Sequence, residues 1–513
     1  HKIINFLSFL THLLKAGMLK AMLISCFLFT VVGNASVNPD SLILVSSETE
    51  DCLMCHSALH PGIVASWNKS LHASSTPAGS MKKEGHARRI SSPKIDENLK
   101  NTVVGCYECH GLNKDLHPDA FEHNGYTIHT IVSSGDCAVC HQVEEMQYRD
   151  NLMSRAHDNL MKNSVYMMLV GSVNGGYSFL NQKMHISPPN DHTLAESCLY
   201  CHGTKISITG MAKRETEYGD MLFPVLGGWP NQGVGRINPD GTLGSCSSCH
   251  PRHDFSVATA RNPYTCSECH KGPDVPAFKV YEVSKHGNIF NSSKSSMNMS
   301  SVPWVIGLDF TIPTCATCHV SLIVDETGTV LAPRSHRFND RLPWRLFGVP
   351  YAHPHPLNAD VSTIKNKAGL PLPVELTGEP ASDWLINKDE QVRRKNAMQR
   401  ICNGCHSSSW TDQHFERLDN TIRETNALTL TATLLISEIW NQKLASGLPQ
   451  NDNPFDEAIE RDWTKVWLFH ANSIRFTSAM AGGGDYGVFA DGRFQLTEQI
   501  VKLQEFLSRY KKQ

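Results

Sequence analysis

The sequence predicts a mostly α protein with few strands, organised around several covalently held groups rather than one aliphatic core. Three observations predict it. The pattern Cys-x-x-Cys-His recurs eight times in 513 residues. The connections between repeats are rich in Gly, Pro, Asn and Ser, as in Gly227–Gly233 and Asn238–Gly241, and hold few sustained periodic segments. After the last repeat the chain turns to apolar residues at helical spacing.

Composition sets the frame. Hydrophobic residues make up 40% and charged residues 19%, below the ~25% charged share of ordinary globular chains. The net charge of −3 argues against nucleic acid as a partner. Gly and Pro are near average, so wholesale disorder is excluded. The unusual counts are 17 Cys and 26 His.

The repeats account for every cysteine but Cys26. They comprise Cys52, Cys55 and His56; Cys106, Cys109 and His110; Cys137, Cys140 and His141; Cys198, Cys201 and His202. The later four comprise Cys246, Cys249 and His250; Cys266, Cys269 and His270; Cys315, Cys318 and His319; Cys402, Cys405 and His406. This spacing is that of c-type haem attachment. Two thiols three positions apart each bond one vinyl group of a porphyrin, and the adjacent imidazole reaches its iron. Zinc knuckles do not account for it, because zinc requires no His directly after every second Cys. Eight covalently bound haem c groups are therefore expected.

Covalent haem implies export with reduced thiols. Met18–Lys20 reads as a short basic start, Ala21–Val32 as an apolar run, and Gly33–Ala35 as a small-x-small cleavage site. Cleavage is expected after Ala35, removing Cys26 and leaving a mature chain with no membrane span. The expected organisation is 1–35 upstream residues and signal peptide, 36–410 the haem domain and 411–513 a C-terminal helical region. Helical periodicity covers about 412–447, 455–480 and 493–511, carried by residues such as Leu434, Leu435, Ile439, Trp440, Trp463 and Trp467. Thr327–Leu331 is one possible hairpin arm.

Electron-transfer haems usually carry a second axial His. The candidates are His72, His129, His157, His253, His286, His336 and His470. His253 lies too close to His250 in sequence to reach the same iron, so it is assigned to a neighbouring haem. His353 and His355 lie in a Pro-rich loop and read as non-ligands.

The chain resembles the octahaem hydroxylamine oxidoreductases, a family with hydroxylamine-oxidising and hydrazine-oxidising members. The resemblance rests on the order of the eight motifs, with the fifth and sixth close together. It rests also on the run from Cys246 through His253-Asp254-Phe255 to Cys266, Asp274 and Ser284-Lys285-His286-Gly287, and on Gly483-Gly484-Asp485-Tyr486. It covers about residues 50–510. It implies a catalytic fourth haem, held by Cys198, Cys201 and His202, whose iron has no distal protein ligand. It also implies a homotrimer in which Tyr486 of a neighbouring subunit bonds covalently to that porphyrin. The electrons would leave to a small cytochrome c, and the setting would be the periplasm or an equivalent compartment such as the anammoxosome lumen.

On this resemblance the expected function is oxidation of hydroxylamine, to nitric oxide or nitrite, or of hydrazine, to dinitrogen. The catalytic residues are His202, Tyr486 and Asp274. One position departs from the family. An Asp-His pair usually follows the sixth motif, and here Val275 stands where the His would be. A Val accepts no proton. Two alternatives stay open: a nitrite or hydroxylamine reductase using the same haem, and a non-catalytic electron-transfer protein.

Overall fold

A computed structural model describes residues 44–510. The expected signal segment, from Met18 to Ala35, lies outside the described residues. The fold is mostly α with short strands, as the sequence predicts, and no helix of the described residues is long and apolar enough to cross a membrane.

Each Cys-x-x-Cys-His segment folds as about one helical turn. Cys106–His110, Cys198–His202 and Cys315–His319 are five-residue helices. At His141, His250, His270 and His406 the backbone N–H donates to the carbonyl of the motif's first cysteine, at 2.8, 3.0, 2.9 and 2.9 Å. Residues three and four apart share a helix face, so the turn gathers both thiols and the imidazole on one side. Local caps set where these turns begin. The Ser133 hydroxyl accepts from the Asp136 N–H at 3.2 Å, and the Asp136 carboxylate accepts from the Ser133 N–H at 2.8 Å, just before Cys137. Gly203 ends the fourth turn with φ of +89°, and a Cβ there would lie 2.2 Å from the Arg236 nitrogen. Only glycine fits that position without strain.

The C-terminal region is helical. Ser408–Asn441 starts directly after the last motif, capped by the Ser407 hydroxyl, which accepts from the Trp410 N–H at 3.4 Å. Ala458–Lys465 continues through a π segment, Val466–His470, into Ala471–Ala479, and Arg493–Tyr510 closes the chain. Ile436, Ile439, Trp440, Trp463, Trp467 and Leu503 are buried together between these helices. Buried Thr425, Thr429 and Thr433 each donate to the carbonyl four residues back, at 2.7, 2.9 and 2.9 Å, so their hydroxyls stay satisfied inside the bundle. Two smaller clusters lie nearer the motifs: Trp304, Phe310, Ile323 and Ile401 in one, and Leu160, Val170, Leu194 and Leu199 in the other.

Strand structure exceeds the expectation in two places. Gly176–Leu180 pairs with Lys183–Ser187, and Ser207–Thr216 with Gly219–Gly227, both antiparallel. The first hairpin turns at Asn181-Gln182, both with positive φ, the geometry two-residue hairpins favour. Its sequence hides the pattern, because one face is Tyr177/Ile186 and Phe179/Met184 while the other mixes Ser178/His185 with Leu180/Lys183. The arm expected at Thr327–Leu331 is the strand Val330–Ala332, paired with Ile323–Val324.

Within the bundle Glu460 is fully buried. Its carboxylate accepts from Trp440 Nε1 at 2.7 Å and from the Glu457 N–H at 3.0 Å. Burial outweighs these bonds and pushes its carboxyl up from 4.5 to about 7. The protonated form is thus the one the fold favours. Stability from this group is present below about pH 4.5 and is lost as pH rises to about 7. Thermal melting of the holoprotein should therefore fall across that window, and Glu460→Gln should flatten the dependence. An unchanged slope in the variant would exclude Glu460 as its source.

Candidate functional site

Most cysteines and histidines of the repeats line one continuous cavity of about 2080 Å³. Thirteen motif cysteines, from Cys109 to Cys405, border it, together with His141, His202, His250, His270, His319 and His406. A single ligand pocket usually spans ~300–1,000 Å³, so this space suits several large apolar groups. None of the sixteen described cysteines is in a disulfide.

The donor chemistry fits haem. Burial holds His110, His250 and His319 down to about 4, partly offset by backbone bonds. Neutral imidazole is the form a metal requires. Several motif histidines are also oriented by the ring nitrogen turned away from the cavity. Nδ1 of His110 faces the His129 carbonyl at 2.8 Å, that of His202 the Ala156 carbonyl at 3.1 Å, and that of His319 the Phe338 carbonyl at 3.4 Å. Such a bond fixes the tautomer and leaves Nε2 as the ligand.

Two imidazoles on opposite sides of one metal, each nitrogen about 2 Å from it, have ring centres about 6 Å apart. His56 and His123 meet that spacing at 6.2 Å, His141 and His72 at 6.3 Å, and His406 and His286 at 6.2 Å. His110 and His129 also lie 6.2 Å apart, but both ring nitrogens of His129 face carbonyls, of Ile131 at 3.0 Å and Leu112 at 2.8 Å. A neutral imidazole donates to only one of the two. His253 instead lies near enough to His110 for its charge to bear on it. His336 stands in the same relation to His250; burial holds it to about 4, and its Nδ1 has no partner. His157 directly follows the carbonyl that holds His202. His470 is bonded to Asp491 at 2.8 Å and is not among the cavity-lining residues.

Two imidazoles lay outside the sequence candidates. His123 sits on a short strand, Phe121–His123, and the Asn124-Gly125 turn signal after it marks the hairpin but not its partner. His355 is buried, lines the cavity, and has an unpartnered Nδ1.

Cysteines of different motifs lie close to one another. Cys52 contacts Cys106, Cys137 contacts Cys246, Cys201 contacts Cys269, and Cys266 contacts Cys315. Haems held by the first and second, third and fifth, fourth and sixth, and sixth and seventh motifs would therefore lie close to one another.

The fourth motif is held most elaborately. Asn174 donates to the Ser197 hydroxyl at 2.8 Å and to the Cys198 sulfur at 3.2 Å. Asn231 donates to the Leu199 carbonyl at 3.0 Å while its own carbonyl receives the Thr204 and Gly233 N–H groups. Burial lowers His202, opposed by its bond to Ala156 and by the charge of Asp274, while Arg345 lowers it further. Asp274, Val275, Arg345, Phe347 and Phe476 line the same cavity. The helix Ala471–Ala479 holds this wall. Asn472 donates to the Asp274 carbonyl at 2.9 Å, and Arg475 to the Leu346 carbonyl at 3.1 Å. Tyr486 does not line the cavity within its own chain. Burial and Asp491 push its phenol up, opposed by a hydrogen bond with Ser473.

These features define a multihaem c-type cytochrome. Residues 240–335 match the family model described as seven times multi-haem cytochrome CxxCH, and residues 51–142 the model for cytochrome c554 and c-prime. A solved structure described as a hypothetical multiheme protein is 40% identical, with a TM-score of 0.85 over 91% of this chain and 96% of that one. The chain belongs to the family of that multihaem protein. A structure of the reducing HAO-like protein complex of Kuenenia stuttgartiensis shares the fold at 17% identity and a TM-score of 0.60, over 91% of this chain and 85% of that one. A probable nitrite reductase-hydroxylamine oxidoreductase fusion protein of the same organism is 24% identical over 434 residues, 80% of this chain. The chain spans only 40% of that protein's length.

A separate buried cluster lies beside the second and third motifs. His117 stacks on His129 with ring centres 3.6 Å apart, and its nitrogens meet Asp119 at 3.0 Å and Asp136 at 3.2 Å. His117, His129 and Asp136 have the spacing of metal ligands, but hydrogen bonds already occupy the ring nitrogens of both histidines. Burial alone would lower His117; the two carboxylates outweigh it and raise it from 6.5 to about 9. Its stabilisation is fully present below pH 6.5 and lost as pH rises through about 9. His117→Gln should cost up to about 3 kcal/mol at low pH, with the gap in melting temperature closing as pH approaches 9. A gap independent of pH would contradict the assignment.

Proposed function

We propose that this chain is an octahaem oxidoreductase that exchanges electrons with a small nitrogen compound at the haem tethered by Cys198 and Cys201. What supports the reading is the company of His202: the charges of Asp274, which also bears on His270, and of Arg345 act on this motif histidine, and both side chains line the cavity. His56, His141 and His406 are met by a second imidazole at about 6 Å. A haem held here by Cys198, Cys201 and His202 would supply redox chemistry at its iron. The residues supply the rest. The Ala156 carbonyl orients His202 so that Nε2 faces the cavity. Val275, Phe347 and Phe476 keep the wall apolar and limit water. Asp274 holds or delivers protons at its carboxylate oxygens. The cysteine contacts between motifs support a path along which electrons pass to or from a soluble cytochrome.

Of the two directions, the geometry favours reduction. Val275 leaves the pocket without the second base expected of a proton-extracting oxidase. The similar fusion protein carries both nitrite reductase and hydroxylamine oxidoreductase in its name. The oxidative reading, of hydroxylamine or hydrazine, keeps one specific support. Tyr486 stands on a π segment, Tyr486–Ala490, at the end of the helical region that would form a trimer interface.

Two measurements test this. Electron paramagnetic resonance of the oxidised holoprotein should show a high-spin ferric signal beside low-spin ones; a purely low-spin protein would leave only electron transfer. Tyr486→Phe should leave the visible spectrum and the rate of reduction unchanged. A spectral change together with loss of oxidation in that variant would establish the cross-link and reverse the assigned direction.

A further inference from the structure

The first motif stands apart from the rest. Each of the later motifs contributes at least one residue to the common cavity, whereas Cys52, Cys55 and His56 do not line it. Met54, inside the motif, and Leu59 and Ile63 just beyond it are exposed. A haem tethered here would therefore be a peripheral one, with His123 facing His56 at 6.2 Å.

His56 also differs in the partner of its Nδ1. That nitrogen of His110, His202 and His319 faces a backbone carbonyl. In His56 it lies 2.8 Å from Nδ1 of His60, a side chain, and the two rings stack with centres 4.9 Å apart. The local sequence brings them together. His60 follows His56 by four residues, so the two share one helix face, and the His60 N–H donates to the His56 carbonyl at 2.8 Å. Pro61 then opens the next helix, Pro61–Trp67, and fixes His60 at the joint. Haem attachment decides which nitrogen donates. With Nε2 given to iron, the ring proton of His56 sits on Nδ1. His56 is thus the donor and His60 the acceptor.

An imidazole nitrogen is a far stronger base than an amide carbonyl oxygen. A bond to it draws the proton further from the ligating ring, makes that ring a more basic ligand and favours ferric over ferrous iron. We propose that His60 is a positioning residue that orients His56 and lowers the reduction potential of the first haem. It does for this motif what a carbonyl does for His110, His202 and His319, with a stronger acceptor. The inference goes beyond the reading of the site at His202 and does not depend on it, because the first motif shares no residue with that cavity.

The test is a potentiometric titration of the haem-loaded protein, followed by visible and electron paramagnetic resonance spectra, in mildly alkaline buffer where free imidazole is neutral. His60→Phe keeps an aromatic ring for the stack and removes the acceptor. His60→Gln removes the ring and returns an acceptor of the carbonyl kind. His60→Phe should move one one-electron component to higher potential while the number of low-spin signals stays the same. His60→Gln should move the same component by less. A His60→Phe curve that superimposes on wild type overturns the inference. Equal displacement in both variants also overturns it, by assigning the effect to something other than the bond. So does a displacement spread over the whole curve, which a general structural change would give, or a His60→Gln curve identical to wild type, which would show that any acceptor suffices.

Discussion

The structure depends on a constraint carried by five residues at a time. One helical turn must present two thiols and an imidazole on the same side, and the imidazole must stay neutral. The i, i+3, i+4 geometry does the first. Burial and a backbone carbonyl at Nδ1 do the second, as at His110, His202 and His319. Once such turns are fixed around one cavity, the connecting chain needs little regular structure. Its aliphatic clusters, such as Leu160 with Leu194 and Leu199, remain small and sit behind the turns rather than between them.

The C-terminal helices obey a different rule, that of ordinary apolar packing, with Trp440, Trp463 and Trp467 at the centre. Their connection to the chemistry is mechanical. Asn472 and Arg475, on Ala471–Ala479, hold the backbone of Asp274 and Leu346 from behind. The same helix therefore belongs both to the apolar bundle and to the wall facing His202, so a change in bundle packing is transmitted directly to the site.

What the sequence reveals follows from how local each requirement is. Haem attachment is legible because its chemistry fixes spacing within five residues. The C-terminal helices are legible because packing imposes a period over many turns. The pairing of imidazoles is a long-range property with no spacing rule. His123 faces His56 from a hairpin, and His129 lies at a similar distance from His110 with two carbonyls beside its ring. His355 and Arg345 escape notice for the same reason. The Pro-rich stretch around them looks like a loop, and only the pairing of Trp344–Arg345 with His353–Pro354 brings it to the cavity wall. The Gly176–Ser187 hairpin is hidden because its apolar residues are exposed and Leu180 breaks their alternation.

The central claim is that His202 serves a site shared with small ligands rather than with a second imidazole. A crystal structure of the haem-loaded protein tests it most directly. The account predicts an iron bound by His202 Nε2, with Asp274 and Arg345 on its other side and no protein atom in coordination there. A nitrogen of His157, His355 or any other histidine bound on that second side would contradict it.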